Sequence, residues 1–240
     1  MNFFDKFKKK KPKFAPCITP IIFVIDKSNS VPQEQFELTA ASIIQTCKSF
    51  SFAEIEVAIF EFSSFANCVT KQLVAPYKAT TSRFVIDSEA NFNELFNTLN
   101  NALSDKQLFI KAGVYKTPII CFITNGITNI SYSESLDCLK KNPLFDSANK
   151  IAITIGNTYN SKTINDIVGD CGKAIHLNSV NEFKPKLNEA FASEGIKIIP
   201  QVCPSQSFSI SQDENGYYIP KQASYQASVP ISPVPTASTR

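Results

Sequence analysis

Pro20-Ile21-Ile22-Phe23-Val24-Ile25-Asp26-Lys27-Ser28-Asn29-Ser30 is the stretch from which the fold is read. Five consecutive β-branched or aromatic residues bounded by Pro20 and Asp26 predict a strand buried on both faces, as in the middle of a parallel sheet. A helix follows at once. Ser30 and Gln33 have the spacing of a capping box, and Pro32 sits where a first helical turn tolerates a missing N–H. Asp26, Ser28 and Ser30 are therefore expected on the loop at the carboxyl end of a central strand, where open α/β sheets place their sites.

Outward from this stretch the pattern repeats. Phe36, Ala40, Ile43, Ile44 and Cys47 recur at helical spacing and predict a helix over Val31–Phe50. Ile55–Phe62 reads as a strand and Cys68–Val74 as another. The Ser63–Asn67 link between them is too short for a crossover, so the two should form an antiparallel hairpin at one sheet edge. Residues 75–90 carry loop chemistry, and Phe92, Leu95, Phe96, Leu99 and Leu103 mark a second helix. Pro118–Thr124 copies the opening strand, apolar throughout and closed by the polar Asn125-Gly126. A helix over 133–141, a strand over 150–155, a short helix through Ile164, Ile167 and Val168, a short strand over 173–177 and a closing helix over 180–194 that bends near Pro185 complete the reading.

Strands alternating with helices predict an α/β fold: a doubly wound, mostly parallel six-stranded sheet with one antiparallel edge strand and helices on both faces. The loops after Asp26 and Thr124 should be neighbours at one edge. Residues 17–195 form this domain, preceded by a basic aromatic arm, 1–16. After it come an extension, 196–219, with a strand over 196–203 or a hairpin around Asn215-Gly216, and a Pro/Ser-rich tail, 220–240, of disordered, polyproline character.

Composition narrows the function classes. The 240 residues carry a net charge of +3, and Lys6, Lys8, Lys9, Lys10, Lys11 and Lys13 crowd the front. The rest is close to neutral, which argues against a nucleic-acid groove. The arm reads as a solvated terminus, with contact to an anionic membrane surface as its sharper alternative. Seven widely spaced cysteines without a Cys-x-x-Cys pair indicate mostly buried free thiols in a reducing compartment. With no apolar run long enough for a membrane span and no signal-peptide pattern, the expectation is a cytoplasmic protein. His176, the single histidine, reads as a partly buried strand residue rather than a catalytic base.

Asp26, Ser28 and Ser30 place a carboxylate and two hydroxyls on one turn, hard oxygens suited to Mg²⁺ or Mn²⁺. The plainer account is that Ser30 caps the helix and Ser28 closes the turn. Set in this element order, with Thr124-Asn125-Gly126 after a second buried strand, the loop resembles that of von Willebrand factor type A domains with their metal-ion-dependent adhesion site. The resemblance covers 20–194. It is nearest to the bacterial branch associated with tellurium resistance, on the segment Pro118–Thr128. It implies that Ser28 and Ser30 bind the metal directly and that Asp26 holds it directly or through water. The family's usual aspartate falls on Asn125, and its usual threonine falls near Ala90, with Ser88 and Asn91 alongside. It further implies a non-enzymatic adaptor in a bacterial tellurite or stress-response system. A protein partner would donate a carboxylate to the metal, and a protein kinase and a phosphatase would be companions.

An enzymatic reading competes. Asp26, Thr124-Asn125-Gly126, Lys150 and Gly169-Asp170 resemble the motif order of haloacid-dehalogenase-type phosphatases, with Asp26 as nucleophile and Asp170 as a magnesium ligand. Ser28 stands where that family has its acid/base aspartate, and Asp170 follows a helical pattern, so this reading ranks below the first.

Overall fold

A computed structural model describes residues 17–50, 54–83, 85, 88–104, 108 and 114–198, and the backbone of 210–212 and 218–220. The elements are β1 (Cys17–Asp26), α1 (Gln33–Ser49), β2 (Ile55–Phe62), β3 (Ala66–Cys68), α2 (Phe92–Ser104), β4 (Val114–Tyr115), β5 (Ile119–Ile123), α3 (Ser133–Lys140), α4 (Pro143–Asp146), β6 (Asn149–Ile155), α5 (Ser161–Val168), β7 (Lys173–Leu177), α6 (Phe183–Ser193), β8 (Ile210–Gln212) and β9 (Tyr218–Pro220). Short 3₁₀ turns cover Pro76–Lys78 and Val180–Glu182.

The main sheet runs β3-β2-β1-β5-β6-β7, with β4 paired to the start of β1. All pairings in it are parallel except β2–β3. The sheet thus has seven strands rather than six, because two residues, Val114 and Tyr115, pair with Cys17 and Ile18. A two-residue strand carries no periodicity for sequence reasoning to find. β1 also starts at Cys17, before Pro20. On that side β4 stops at Ile18 and β5 begins at Ile21, while Thr19 N–H bonds Glu54 O on the β2 side. Pro20 therefore sits where the ladder has a gap and needs no donor.

β1 is buried from Ile18 to Asp26, and its alternation sorts the core into two layers. Ile21, Phe23 and Ile25 pack with α1 and α6 residues, including Phe36, Ile43, Leu187 and Phe191. Ile22 and Val24 face α2, α3 and α5 through Phe92, Leu95, Leu136 and Ile164. Phe191 meets Phe23 and Phe50 edge-to-face, with centroids 5.6 and 5.5 Å apart.

Three local expectations need correction. The capping box does not form: Pro32 is the N-cap of α1 and no side chain caps it, because Ser30 is bonded elsewhere. The hairpin partner of β2 is Ala66–Cys68, and Val74 makes only an isolated bridge to Val57. β7 is an edge strand, so His176 is exposed rather than partly buried, with its ring stacked on Tyr159 and bonded to Thr154 Oγ1 at 2.8 Å.

Of the described cysteines, Cys47 and Cys121 are buried, Cys68 is half-buried, and Cys17, Cys138 and Cys171 are exposed, fewer buried than the sequence suggested. In the extension, Ile198 bridges Phe50 and β8 pairs with β9 antiparallel. The arm 1–16, the stretch 199–209 with Cys203, the turn at 215–216 and the tail 221–240 lie outside the described residues. No described helix is long and apolar enough to cross a membrane.

Candidate functional site

β1 has β2 on one side and β5 on the other, so the connections depart from β1 in opposite directions. The crevice between the loops after β1 and β5 is the switch point of the sheet. Asp26 ends β1 and Thr124-Asn125 follow β5, which brings the four candidate residues to this crevice as their order predicted.

Asp26 is 2% exposed. Its Oδ1 accepts from Ser28 N–H at 2.9 Å and its Oδ2 from the Thr124 hydroxyl at 2.6 Å. Burial pushes its carboxyl above the ordinary value, opposed by these hydrogen bonds from Thr124 and Ser28. Ser28 and Ser30 share a hydrogen bond between hydroxyls at 2.9 Å. Asn125 joins the cluster from the other loop. Its Nδ2 donates to Ser30 Oγ at 3.0 Å and to Ser30 O at 3.2 Å. Its Oδ1 accepts from Ile127 N–H at 3.0 Å, with the Ser30 hydroxyl at 3.4 Å. Thr124 Oγ1 also accepts from Gly126 N–H at 3.0 Å, so one hydroxyl fixes both the β5 turn and the Asp26 carboxylate.

The remaining positions implied by resemblance serve structure. Ala90 is buried and its carbonyl accepts from the Thr128 hydroxyl at 2.6 Å. Asn91 caps α2 by accepting from Glu94 N–H at 3.1 Å. Ser88 contributes its carbonyl to Asn29 N–H at 3.2 Å.

Sequence reasoning passed over Glu61, a charged residue inside the apolar β2. It stands beside Ile25 in the sheet and is fully buried. Its carboxylate accepts from Ser82 N–H at 2.7 Å, from the Ser82 hydroxyl, and pairs with Lys27 Nζ at 3.5 Å. Lys27 is thereby turned away from Asp26. An acid in an otherwise apolar strand, after Glu56 at its start and one residue before its end, was the available signal.

Asp26, Ser28 and Ser30 supply hard oxygens of the kind Mg²⁺ and Mn²⁺ prefer, with one carboxylate among them. Among the described residues no group of three or more His, Cys, Asp or Glu side chains gathers at a metal-binding spacing. The donor set fits a weakly held cation. The phosphatase constellation, in contrast, is split. Lys150 is the second residue of β6, bonded to the carbonyls of Phe145, Asp146 and Ala148 at 2.9, 3.2 and 3.1 Å. Asp170 lies after α5 has run back, just before β7. Both are at the amino edge of the sheet, opposite Asp26.

No family model matches the chain, and no curated protein matches it. Solved structures do. Proximal thread matrix protein 1 from the mussel byssus aligns over 73% of this chain and 48% of its own, at 15% identity and a TM-score of 0.57. A second structure of that protein, described as having a zinc-occupied MIDAS motif, aligns with a TM-score of 0.56 at 15% identity over the same shares. A von Willebrand factor type A protein from Catenulispora acidiphila aligns over 73% of this chain and 42% of its own, at 11% identity and a TM-score of 0.55. The chain spans about half the length of the mussel protein it matches. It has the von Willebrand factor type A fold.

Proposed function

We propose that this chain is a non-enzymatic, cytoplasmic protein-interaction module of the von Willebrand A type, and that its contact surface is the carboxyl edge of the sheet around Asp26. The observation that carries this reading is the convergence of Asp26, Ser28, Ser30 and Asn125, from two loops, into one hydrogen-bonded cluster at the switch point. Asp26, Ser28 and Ser30 would hold a divalent cation, Mg²⁺ or Mn²⁺, which supplies an electrophilic centre for an acidic group of the partner. With one carboxylate from this chain, a partner's Asp or Glu is the natural source of the missing charge. The mussel protein described with a zinc-occupied MIDAS motif supports divalent-cation binding in a fold of this kind. The finer assignment, to a bacterial tellurite or stress-response system with kinase and phosphatase companions, rests on the likeness of Pro118–Thr128.

Co-purification with the full chain tests the reading. Partner capture should need Mg²⁺, be reversed by chelator and be lost in Asp26→Ala. Capture that survives both changes removes the cation from the contact. Purified protein with Mg²⁺ should not turn over p-nitrophenyl phosphate; turnover lost in Asp26→Asn would make the chain a phosphatase instead.

A further inference from the structure

Asn125 is oriented by the backbone rather than by choice. Ile127 N–H donates to its Oδ1 at 3.0 Å, and a flipped amide would set two donors against each other there. The Nδ2 group must then face Ser30, where it donates to Oγ at 3.0 Å and to the backbone carbonyl at 3.2 Å. Ser30 Oγ is bonded in turn to Ser28 Oγ at 2.9 Å. An electropositive N–H₂ group thus sits against Ser30 Oγ, one of the oxygens that would ligate a cation. Asn125 is only 6% exposed, Ser28 is fully buried and Ser30 is half-buried, so these bonds form with reduced competition from water.

We propose that the Asn125 side-chain amide takes the part of the cation in the free chain. It ties the Asp26–Ser30 loop to the loop after β5, so this edge of the protein is built without metal, and an entering divalent ion has to displace the amide from Ser30. A carboxylate at this position would have no hydrogen to give to Ser30 O and would add a second buried negative group to the cluster of Asp26. Such a cluster needs a cation to hold together. Asn125 is in this sense the positioning residue that makes the resting arrangement independent of metal. The inference deepens the reading of the Asp26 loop as a cation site and rests on it for the displacement step alone.

The test compares full-length wild type, Asn125→Asp and Asn125→Ala by thermal melting in EDTA and in Mg²⁺, and by Mn²⁺ titration followed by electron paramagnetic resonance. Wild type, which holds the ion weakly, should gain far less from Mg²⁺ than Asn125→Asp does. Asn125→Asp should melt at least about 2 °C lower in EDTA, recover in Mg²⁺, and bind Mn²⁺ on the order of tenfold more tightly than wild type, since ligand charge sets affinity for a hard cation. Asn125→Ala should melt lower in both media and gain less Mn²⁺ affinity than Asn125→Asp, since it removes the competing amide without adding a charged ligand, a pattern that separates lost packing from a created metal requirement. If Asn125→Asp folds only on addition of Mg²⁺, the proposal is supported in stronger form. A wild type that loses as much in EDTA as Asn125→Asp overturns it, and so does an Asn125→Asp variant indifferent to both media. Should wild type bind no Mn²⁺ at any concentration, the cation reading of the loop fails, while the melts of the two variants in EDTA still decide the role of the amide.

Discussion

Thr124 does more at this site than its position after β5 advertises. Its hydroxyl donates to the buried Asp26 carboxylate and accepts from Gly126 N–H. Thr124→Val keeps the shape and removes both bonds, leaving a buried carboxylate with one donor fewer. A loss of about 1–3 kcal/mol is expected in urea unfolding, and a change under a few tenths would show that Asp26 finds another donor. Thiol chemistry is also set residue by residue. Burial raises the Cys47 and Cys121 thiols far above the ordinary value, which keeps the reactive thiolate from forming. Brief alkylation followed by peptide mass mapping should label Cys17, Cys138 and Cys171, which are exposed, and reach Cys47 and Cys121 only after unfolding. Early labelling of either buried thiol would show that the core opens locally.

At the scale of elements, two turns depend on glycine for different reasons. Gly126, in the loop after β5, has φ +71°, and a Cβ there would meet Asn160 O at 3.0 Å and α5 side chains at 3.2 Å. Gly126→Ala should cost about 1–2 kcal/mol in equilibrium unfolding, because a side chain is strained at this backbone conformation. Gly172 has room for no side chain at all, since a Cβ would lie 2.5 Å from Val168 O and 3.0 Å from Lys150 O. It marks the close passage of the α5–β7 turn under β6. Gly172→Ala therefore requires backbone movement at the amino edge, far from Asp26. Equilibrium unfolding should find it strongly destabilised, with Mn²⁺ affinity unchanged wherever the variant remains folded.

Across the whole molecule, the two apolar layers on either side of β1 make the carboxyl edge rigid. Phe191 of α6 bridges β1 and the end of α1 through Phe23 and Phe50. Phe191→Ala leaves a cavity between the last helix and the sheet and should lower stability by about 3–5 kcal/mol in denaturant titration. A loss under 1 kcal/mol would mean that α6 repacks freely. The topology also explains why Lys150 and Asp170, in an order that mimics a phosphatase, lie at the edge opposite Asp26. In a parallel sheet each crossover helix returns the chain to the amino edge, so residues at strand starts and residues at strand ends face opposite ways. Sequence order records neither edge.

The sequence by itself determined the sheet. The runs Ile21–Ile25, Val57–Phe60, Ile119–Ile123 and Ile151–Ile153 are apolar on both faces, as strands inside a covered parallel sheet are. Their polar ends located the Asp26 and Thr124 loops at one edge. β4, the true partner of β2, the exposure of His176 and the burial of Glu61 depended on pairing and packing between distant segments, which no local pattern encodes. Ser30 gives the sharpest case. Locally it has the chemistry and spacing of a helix cap, and only the arrival of Asn125, 95 residues later, draws its hydroxyl into the site instead. Tertiary structure decided that contest because the cluster buries Asp26, Ser28 and Asn125 against Ser30 and leaves unpaired groups if Ser30 turns away, whereas a helix that starts at an uncapped Pro32 leaves its free N–H groups to water.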